Sequence, residues 1–383
     1  MKKILLIIIA IIALYSCGNN TTTSEAISAD SLYQQHDSIF AKASEFSDTI
    51  HIKYAQGLHV EYKNDGIHVL ISNPSPSSHS KPTELVITSS KSRFVCMTAL
   101  QLGNFAALGL EDKVVGITNL RHLFNPKLKQ QLKDGYTLKI GKEGNFDIEA
   151  VIASKPDFIF VSASKHGGYE TLKECGIPLI PHHGYKETDP LGQAEWIKLI
   201  GLLTGEVRRA NAVFADIENK YNTLKTEVHS LMNGAKDAKW TKLPTIVSGR
   251  QIRDGWYIVG GKSYMAQIFK DAGADYIMKG NKDTGGVTLD FESVYAKAAD
   301  ADFWQIDEGF DGEFSLKDLE AEDLRYADLK AFKTKRVLNC NFARTPYREL
   351  SPVEPHIILA DFVKAFHPEI LPSYRPKYYR LLQ

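Results

Sequence analysis

The spacing of hydrophobic and polar positions changes along the chain and divides it into regions. Residues 51–72 alternate around the turn sequence Asn64-Asp65-Gly66, which predicts an N-terminal β-hairpin. Further along, short apolar runs alternate with segments of helical spacing, which indicates parallel strands covered by helices. From Val207 to Leu231 the apolar positions recur three and four apart. This spacing predicts one long amphipathic helix, residues 205–233, between two α/β blocks.

The individual strands and helices of the two blocks are predicted from the same patterns. The expected strands are residues 93–97, 114–117, 158–161, 178–180, 244–248, 302–306 and 336–339. The expected helices are residues 99–108, 147–154, 168–175, 191–203, 263–272, 291–298 and 355–366. The predicted fold class is therefore α/β, with two Rossmann-like lobes on central parallel sheets, one long α-helix joining them, and an N-terminal β-hairpin. We assign residues 51–90 to the accessory hairpin and linker, 91–204 to the N-terminal lobe, 205–234 to the linking helix and 235–383 to the C-terminal lobe.

A repeated segment supports the division into two related lobes. Residues 147–159, which begin Asp147-Ile148-Glu149, are matched by residues 290–304, which begin Asp290-Phe291-Glu292. In each copy the first aspartate is expected to cap a short helix, and a later Asp-Phe pair is expected to open a buried strand. The repeat therefore predicts pseudo-symmetric lobes.

The first residues have the order of a secretory signal. Two lysines precede an apolar run that is too short to span a bilayer, so residues 1–16 are predicted to be a signal peptide. The sequence Leu14-Tyr15-Ser16-Cys17-Gly18 resembles the lipobox of bacterial lipoproteins, in which the cysteine carries the lipid. Residues 17–50 are therefore expected to form a lipid anchor on Cys17 and a flexible tether. The predicted location is the cell envelope, anchored to a membrane and facing the periplasm or the extracellular side.

Composition and motifs exclude several classes of function. The chain has 46 Lys+Arg and 46 Asp+Glu among 383 residues, so no basic excess favours a nucleic-acid partner. Four cysteines are too few for a disulfide scaffold. Gly261-Lys262-Ser263 imitates the end of a phosphate-binding loop, but Trp256 occupies the position where that motif needs a glycine. Since the sequence has no Gly-x-Ser-x-Gly elbow, we expect neither an enzyme nor a cofactor. A cleft enzyme stays the less favoured alternative, because clefts between α/β lobes also host chemistry.

Several segments together are similar to a known family. They are Ala107–Gly116, Asp147–Phe160, Cys175–Pro178, Trp256-Tyr257, Gly260–Tyr264, Asp271–Gly273, Ile358–Asp361 and His367–Glu369. Their order, with a single linking helix, resembles the iron-siderophore and cobalamin class of periplasmic substrate-binding lipoproteins of ABC transporters, over about residues 90 to 383. The resemblance implies two lobes across a cleft, which capture a ferric siderophore or haem and deliver it to a permease dimer in the membrane. It also implies that Glu149 and Glu292 dock on the two membrane subunits.

Two alternatives for the ligand are weighed on particular residues. Cobalamin is the alternative within the same family, although Leu120, Ser162 and Gly286 stand where aromatic side chains would flank the corrin ring. A direct metal site is suggested by His122, His166 and the pair His182-His183. Adjacent side chains of an extended segment point to opposite faces, so we expect no bound metal ion there.

The ligand is expected at the carboxyl ends of the strands, where open α/β sheets bind their ligands. Candidate contacts in the N-terminal lobe are Gln101, Asn119, Arg121, His166 and His183. Candidate contacts in the C-terminal lobe are Arg250, Arg253, Trp256, Tyr257, Arg344 and Tyr347. Arginines and aromatic rings in one set of loops favour a large, anionic and partly aromatic iron complex.

Overall fold

The computed structural model describes Leu32 and residues 37–76, 78–118, 121–142, 145–162, 169–234 and 242–383. The predicted signal peptide, Cys17 and the candidate ligand residues Asn119 and His166 lie outside these residues. None of the helices in the described part is long and apolar enough to cross a membrane.

The chain before the N-terminal lobe forms a three-stranded meander rather than a two-stranded hairpin. After the short helix α1 (Asp37–Phe40), β1 (Leu58–Lys63), β2 (Gly66–Ile71) and β3 (Thr83–Ile87) pair antiparallel in that order. The β1–β2 hairpin confirms the expected turn, and Gly66 has a φ of 143° that suits glycine. The third strand corrects the prediction, because it lies in the segment assigned to a linker.

The N-terminal lobe is built on a five-stranded parallel sheet. Its strands are β4 (Phe94–Cys96), β5 (Val114–Ile117), β6 (Leu138–Lys139), β9 (Phe158–Val161) and β10 (Leu179–Pro181), in the order β10-β9-β4-β5-β6. A small ribbon, β7 (Gly141–Lys142) and β8 (Asn145–Phe146), lies beside it. The helices are α2 (Ala99–Ala107), α3 (Pro126–Asp134), α4 (Ile148–Ala153), α5 (Tyr169–Glu174), α6 (Pro190–Glu195) and α7 (Ile197–Thr204). The single helix expected at 191–203 is therefore two helices, α6 and α7.

One helix, α8 (Val207–Gly234), connects the two sheets and confirms the long periodic pattern. It follows Gly205, whose φ of 77° ends α7 in the left-handed conformation. The buried stripe of α8 consists of Ala210, Val213, Phe214, Ile217, Tyr221, Leu224 and Val228. Leu231, the last apolar position of the pattern, is exposed.

The C-terminal lobe repeats the architecture with additions. Its main sheet has the order β14-β11-β16-β17-β18 and contains β11 (Thr245–Ser248), β14 (Asp275–Tyr276), β16 (Phe303–Asp307), β17 (Val337–Cys340) and the antiparallel β18 (Tyr379–Leu381). A separate antiparallel sheet contains β12 (Arg250–Ile252), β13 (Gly255–Val259) and β15 (Gly286–Asp290). The helices are α9 (Tyr264–Asp271), α10 (Phe291–Ala298), α11 (Leu316–Glu322), α12 (Lys330–Lys333), α13 (Tyr347–Leu350) and α14 (Pro355–Phe366).

The repeated aspartates have equivalent structural roles in the two lobes. The Asp147 carboxylate accepts from the Ala150 amide at 2.9 Å, and the Asp290 carboxylate accepts from the Ser293 amide at 2.8 Å. These bonds confirm the predicted caps of α4 and α10. In each lobe a second aspartate, Asp157 or Asp302, accepts from backbone amides at or just before the start of the neighbouring strand, β4 or β11. In both lobes, therefore, one repeated aspartate caps the helix and a second one anchors the backbone where a strand of the sheet begins.

Two buried glutamates hold the chain segment 53–57, which we call the N-terminal strap, on the N-terminal lobe. Glu195, with no exposed surface, accepts from the amides of residues 53–55 at 2.7–3.1 Å and from the Lys198 ammonium at 2.6 Å. Glu187 accepts from the amides of Gln56 and Gly57 and from the Trp196 indole at 2.9–3.0 Å. Both carboxylates are thus surrounded by donors, which is what makes their burial tolerable.

Candidate ligand-binding site

At the carboxyl ends of the strands in the N-terminal lobe, the described residues line one small cavity. Thr98, Ser162 and His182 follow β4, β9 and β10, and they line a cavity of 20 Å³ that we call the N-lobe cavity. Gln101, Gln193 and Pro352 also line this cavity. A volume of this size holds about one water molecule.

The polar side chains around the N-lobe cavity are used within the lobe. Gln101 is 2% exposed, and its side-chain oxygen accepts from the Thr98 amide at 3.2 Å in the capping box of α2. The His182 ring packs 4.6 Å from the Trp196 ring, and its Nε2 lies 3.3 Å from the Asn104 amide nitrogen. Burial lowers the pKa of His182 to about 3, so this histidine is neutral near pH 7.

The histidine predicted from the sequence to contact ligand, His183, is not the member of its pair that lines the N-lobe cavity. His183 is buried against Trp196 and does not line the cavity, whereas its neighbour His182 does. Burial lowers the pKa of His183 to about 4. In the described part of the chain, no three His, Cys, Asp or Glu side chains come together in a way that could hold a metal ion. Both rings pack on Trp196 within the lobe.

A larger pocket lies at the equivalent place in the C-terminal lobe. It has a volume of 380 Å³ and lies at the carboxyl ends of β11, β16 and β17. Charged, amide and aromatic side chains line it, namely Arg250, Gln305, Asp307, Glu308, Arg348, Tyr257, Phe342 and Tyr347. This volume and mixed lining are typical of small-molecule sites. We call it the C-lobe pocket.

The charge of Arg250 is already paired. Its guanidinium contacts the Glu308 carboxylate and donates to the Glu322 carboxylate at 2.7 Å. An arginine between two carboxylates carries no net positive charge toward a ligand. Arg250 therefore lines the pocket as expected but does not make it an anion site.

Asp307 is the acid of the C-lobe pocket, and its side chain is exposed there. One of its oxygens accepts from the Gln305 amide nitrogen at 2.9 Å and from the Tyr379 hydroxyl at 2.8 Å. The Tyr379 and Tyr347 hydroxyls lie 3.0 Å apart, so the pocket floor is one polar cluster. Desolvation by the surrounding pocket wall raises the pKa of Asp307 to about 6.

The rim of the pocket carries one further cation and two aromatic rings. The Arg348 guanidinium lies 3.7 Å from the centroid of the Phe342 ring, which is a cation–π contact. Tyr257 is 45% exposed at the pocket wall. Burial lowers the pKa of Arg348, while the neighbouring Asp307 opposes that shift.

Three residues predicted to contact ligand lie elsewhere. Trp256 has no exposed surface, because β13 turns it into the core against Phe291 and Trp304, where its indole donates to the Ser248 carbonyl at 2.9 Å. Arg253 is exposed at the turn between β12 and β13, with a φ of 57°. Arg344 is also exposed, and neither arginine lines the pocket.

The two lobes touch each other at particular residues near these sites. Arg121 donates to the Asp311 carboxylate of the opposite lobe at 2.7 Å, an exposed ion pair. The Glu349 side chain of α13 accepts from the amides of Phe124 and Asn125 at 2.5 and 2.9 Å. Beside it α2 comes so close that a Cβ atom at Gly103 would overlap the Glu349 carbonyl oxygen. The lobes are therefore in direct contact along α2 and α13.

The two predicted docking glutamates occupy equivalent surface positions. Glu149 is exposed in the first turn of α4, and Glu292 is exposed in the first turn of α10. Glu292 accepts from Arg325 at 3.0 Å, whereas Glu149 makes no ion pair with any described residue. The positions are thus symmetric, but the environments are not.

Sequence reasoning missed the polar floor of the C-lobe pocket. Gln305 and Asp307 are alternate residues of β16, and they face the pocket while Trp304 and Ile306 are buried on the other side. The available signal was a pair of polar residues at the end of a strand that is otherwise apolar.

The comparisons with known proteins agree with this architecture. Residues 95–343 match the sequence profile of the periplasmic binding proteins. An uncharacterized lipoprotein of Methanocaldococcus jannaschii is 25% identical over 74% of this chain and 67% of its own length. A periplasmic heme-binding protein of Pseudomonas aeruginosa superposes with a TM-score of 0.57 at 19% identity, covering 75% of this chain and 95% of that one. A protein of an Fe3+-hydroxamate transport system of Saccharomonospora viridis superposes with a TM-score of 0.56 at 16% identity, covering 74% and 96%.

These matches settle the class of the protein. The family and the solved structures with this fold are substrate-binding proteins and not enzymes, which confirms the expectation of a binding protein without turnover. The family and the lipoprotein relative also indicate a location outside the cytoplasm. The match spans more than half of the chain and both lobes. The chain belongs to the periplasmic binding protein family.

Proposed function

We propose that this protein captures an iron complex, a ferric siderophore or haem, between its two lobes and delivers it to the permease dimer of an ABC importer. The C-lobe pocket carries this proposal, because it is a 380 Å³ space with charged and aromatic walls at the carboxyl ends of parallel strands. The N-lobe cavity is its counterpart at the equivalent strand ends of the N-terminal lobe. The lobes are residues 91–204 and 235–383, with residues 205–234 as the linking helix.

Direct binding measurements test this function. The full chain, purified in detergent, is titrated with a ferric hydroxamate, a ferric catecholate, haem, cobalamin and Zn²⁺, and tryptophan fluorescence is followed. We expect an iron complex to bind, and Tyr257→Ala in the pocket wall to weaken binding about tenfold. Arg253→Ala, in the same small sheet but outside the pocket, is the matched control and leaves affinity unchanged. Binding of Zn²⁺ or cobalamin alone, or of none of these ligands, would contradict the proposal.

We also propose that a lipid on Cys17 holds the protein on a membrane in the cell envelope. The lipobox-like sequence around Cys17 and the lipoprotein relative support this proposal. Cys17→Ala is expected to move the protein from the membrane pellet to the supernatant without a change in its thermal unfolding. Cys175→Ala, which removes a thiol that is free in the folded chain, is the control and stays in the pellet. A Cys17→Ala variant that still pellets after normal signal cleavage would show that something other than the lipid holds it.

Finally, Glu149 and Glu292 are proposed to dock the two lobes on the permease subunits. Both carboxylates are exposed in the first turn of equivalent helices. The positive end of the helix dipole stabilises a glutamate in the first turn of any helix, which is enough to explain one such residue. It explains less well why both lobes carry a glutamate at the equivalent position. The mutational test is given in the Discussion.

A further inference from the structure

The arginines of the C-lobe pocket are matched by carboxylates. The paired Arg250 faces both Glu308 and Glu322, so this group carries one net negative charge, with Glu322 outside the lining. Arg348 and Asp307 are the remaining charged side chains of the lining, and they offset each other. An anionic ligand would therefore meet a pocket lining without net positive charge.

The orientation of the Gln305 amide adds an unused acceptor. Its nitrogen donates to the Asp307 carboxylate at 2.9 Å, and a carboxylate can only accept, so the amide oxygen must point away from it. That oxygen has no hydrogen-bond partner in the described part of the chain, although Gln305 is only 1% exposed. A buried acceptor without a donor is unfavourable, and a ligand N–H in the pocket would satisfy it.

Resting on the proposed function, we propose that the C-lobe pocket takes a primary ammonium group of the iron complex. An ammonium brings three donors, which match the Gln305 oxygen and the Asp307 carboxylate. The Tyr257 ring lines the same pocket, is 45% exposed and offers a face that attracts a cation. The ligand class is therefore an iron complex with a free amine. This proposal differs from the sequence-based expectation of an anionic complex, which rested on arginines whose carboxylate partners the sequence does not reveal.

A matched pair of ligands tests the proposal on the unmodified protein. One is a linear ferric trihydroxamate with a free terminal amine, and the other is the same complex with that amine acetylated. We expect the free amine to bind at least about tenfold more tightly, because charge-assisted hydrogen bonds are lost on acetylation. A trianionic ferric catecholate is expected to bind more weakly than either. Equal affinity for the matched pair, or tighter binding of the catecholate, would overturn this inference while leaving the proposed function intact. If no iron complex binds, the proposed function itself fails.

Variants locate the effect in the pocket. Asp307→Asn and Gln305→Met are each expected to reduce the preference for the free amine to about threefold or less. Asp300→Asn, an exposed aspartate of the same lobe, removes the same charge and is expected to keep the full preference. Circular dichroism checks that each variant is folded, and the unmodified protein decides the question if Asp307→Asn is not. A full preference in both pocket variants would show that the amine binds elsewhere and would overturn the assignment.

Discussion

The carboxylates of the two lobes have different surroundings. In the N-terminal lobe, Glu187 and Glu195 accept from strap amides, Trp196 and Lys198, so each carboxylate is surrounded by donors. In the C-terminal lobe, Asp307 is exposed to the pocket and has a raised pKa, and the neighbouring Gln305 keeps an oxygen without a partner. The comparison teaches that burial of charge does not by itself mark a binding site, since the two fully buried carboxylates of Glu187 and Glu195 hold the N-terminal strap.

The largest expected effect comes from comparing a core residue with a pocket residue in the C-terminal lobe. Trp256→Ala is expected to lower the free energy of unfolding by about 4 kcal/mol, because it empties a fully buried site. Tyr257→Ala, the next residue on β13, is expected to lower it by less than about 1 kcal/mol while ligand affinity falls. Urea denaturation followed by circular dichroism gives both values. Similar losses in the two variants would mean that the strand does not divide core from pocket as described.

The second prediction tests whether the acceptors of the N-terminal lobe are structural. Glu195→Gln leaves Lys198 buried without its partner and is expected to lower the free energy of unfolding by about 3 kcal/mol. Affinity for the iron complex at the C-lobe pocket should stay the same. Glu218→Gln disrupts the partly exposed pair with Lys53 and serves as the control, with a loss below about 1 kcal/mol. If Glu195→Gln changed the affinity for the iron complex and left the free energy of unfolding unchanged, Glu195 would have a role in binding rather than in stability.

The third prediction concerns the pH dependence that Asp307 gives the C-terminal lobe. Because its pKa rises from the ordinary 3.8 to about 6 on folding, the folded protein holds this proton more tightly than the unfolded chain. The contribution of Asp307 to stability therefore falls as pH rises from about 4 to about 6. Asp307→Asn should lack this fall, so the difference between the two proteins in urea denaturation should grow across this pH range. Parallel curves for the two proteins would show that Asp307 is solvated.

The smallest effect concerns the exposed glutamates of the two lobes. Glu149→Ala together with Glu292→Ala is expected to leave ligand affinity unchanged and to lower uptake through the importer a few-fold, with less dependence on salt. Glu149→Ala alone should account for more of this loss, because Glu292 already pairs with Arg325. Uptake of radioactive iron complex by cells measures each variant. Normal uptake by the double variant would return both residues to a purely structural role.

Strong local periodicity explains which parts of the fold could be predicted. The pattern of α8 extends over eight turns, and the buried strands β4, β5 and β9 are short apolar runs between clear helices. The strand β3 was missed because it pairs with β2 across a segment rich in serine and proline. The sheet of β12, β13 and β15 was missed because β15 lies far along the chain from its partner. Pairing at such a distance leaves no local pattern in the sequence.

The location of the candidate site could be predicted from the sequence, but the charge of its lining could not. Arg250, Tyr257 and Tyr347 line the C-lobe pocket at the strand ends where ligand loops were expected. Trp256 was assigned wrongly because the sequence does not tell which of two adjacent aromatic residues faces the core. The sign of the pocket's charge depends on Glu308 and Glu322 meeting Arg250, and these residues come together only in the folded chain.

The contact between Gly103 and the Glu349 carbonyl oxygen has a consequence for the width of the cleft. Helix propensity alone would favour alanine over glycine inside α2, by about 1 kcal/mol. The neighbouring carbonyl oxygen opposes that choice, because a methyl group there has no room unless α2 and α13 move apart. A relative with any side chain at this position must hold its lobes further apart or lose the bonds from Glu349 to the amides of Phe124 and Asn125. The absence of a side chain at Gly103 is thus what allows α2 and α13 to pack this closely.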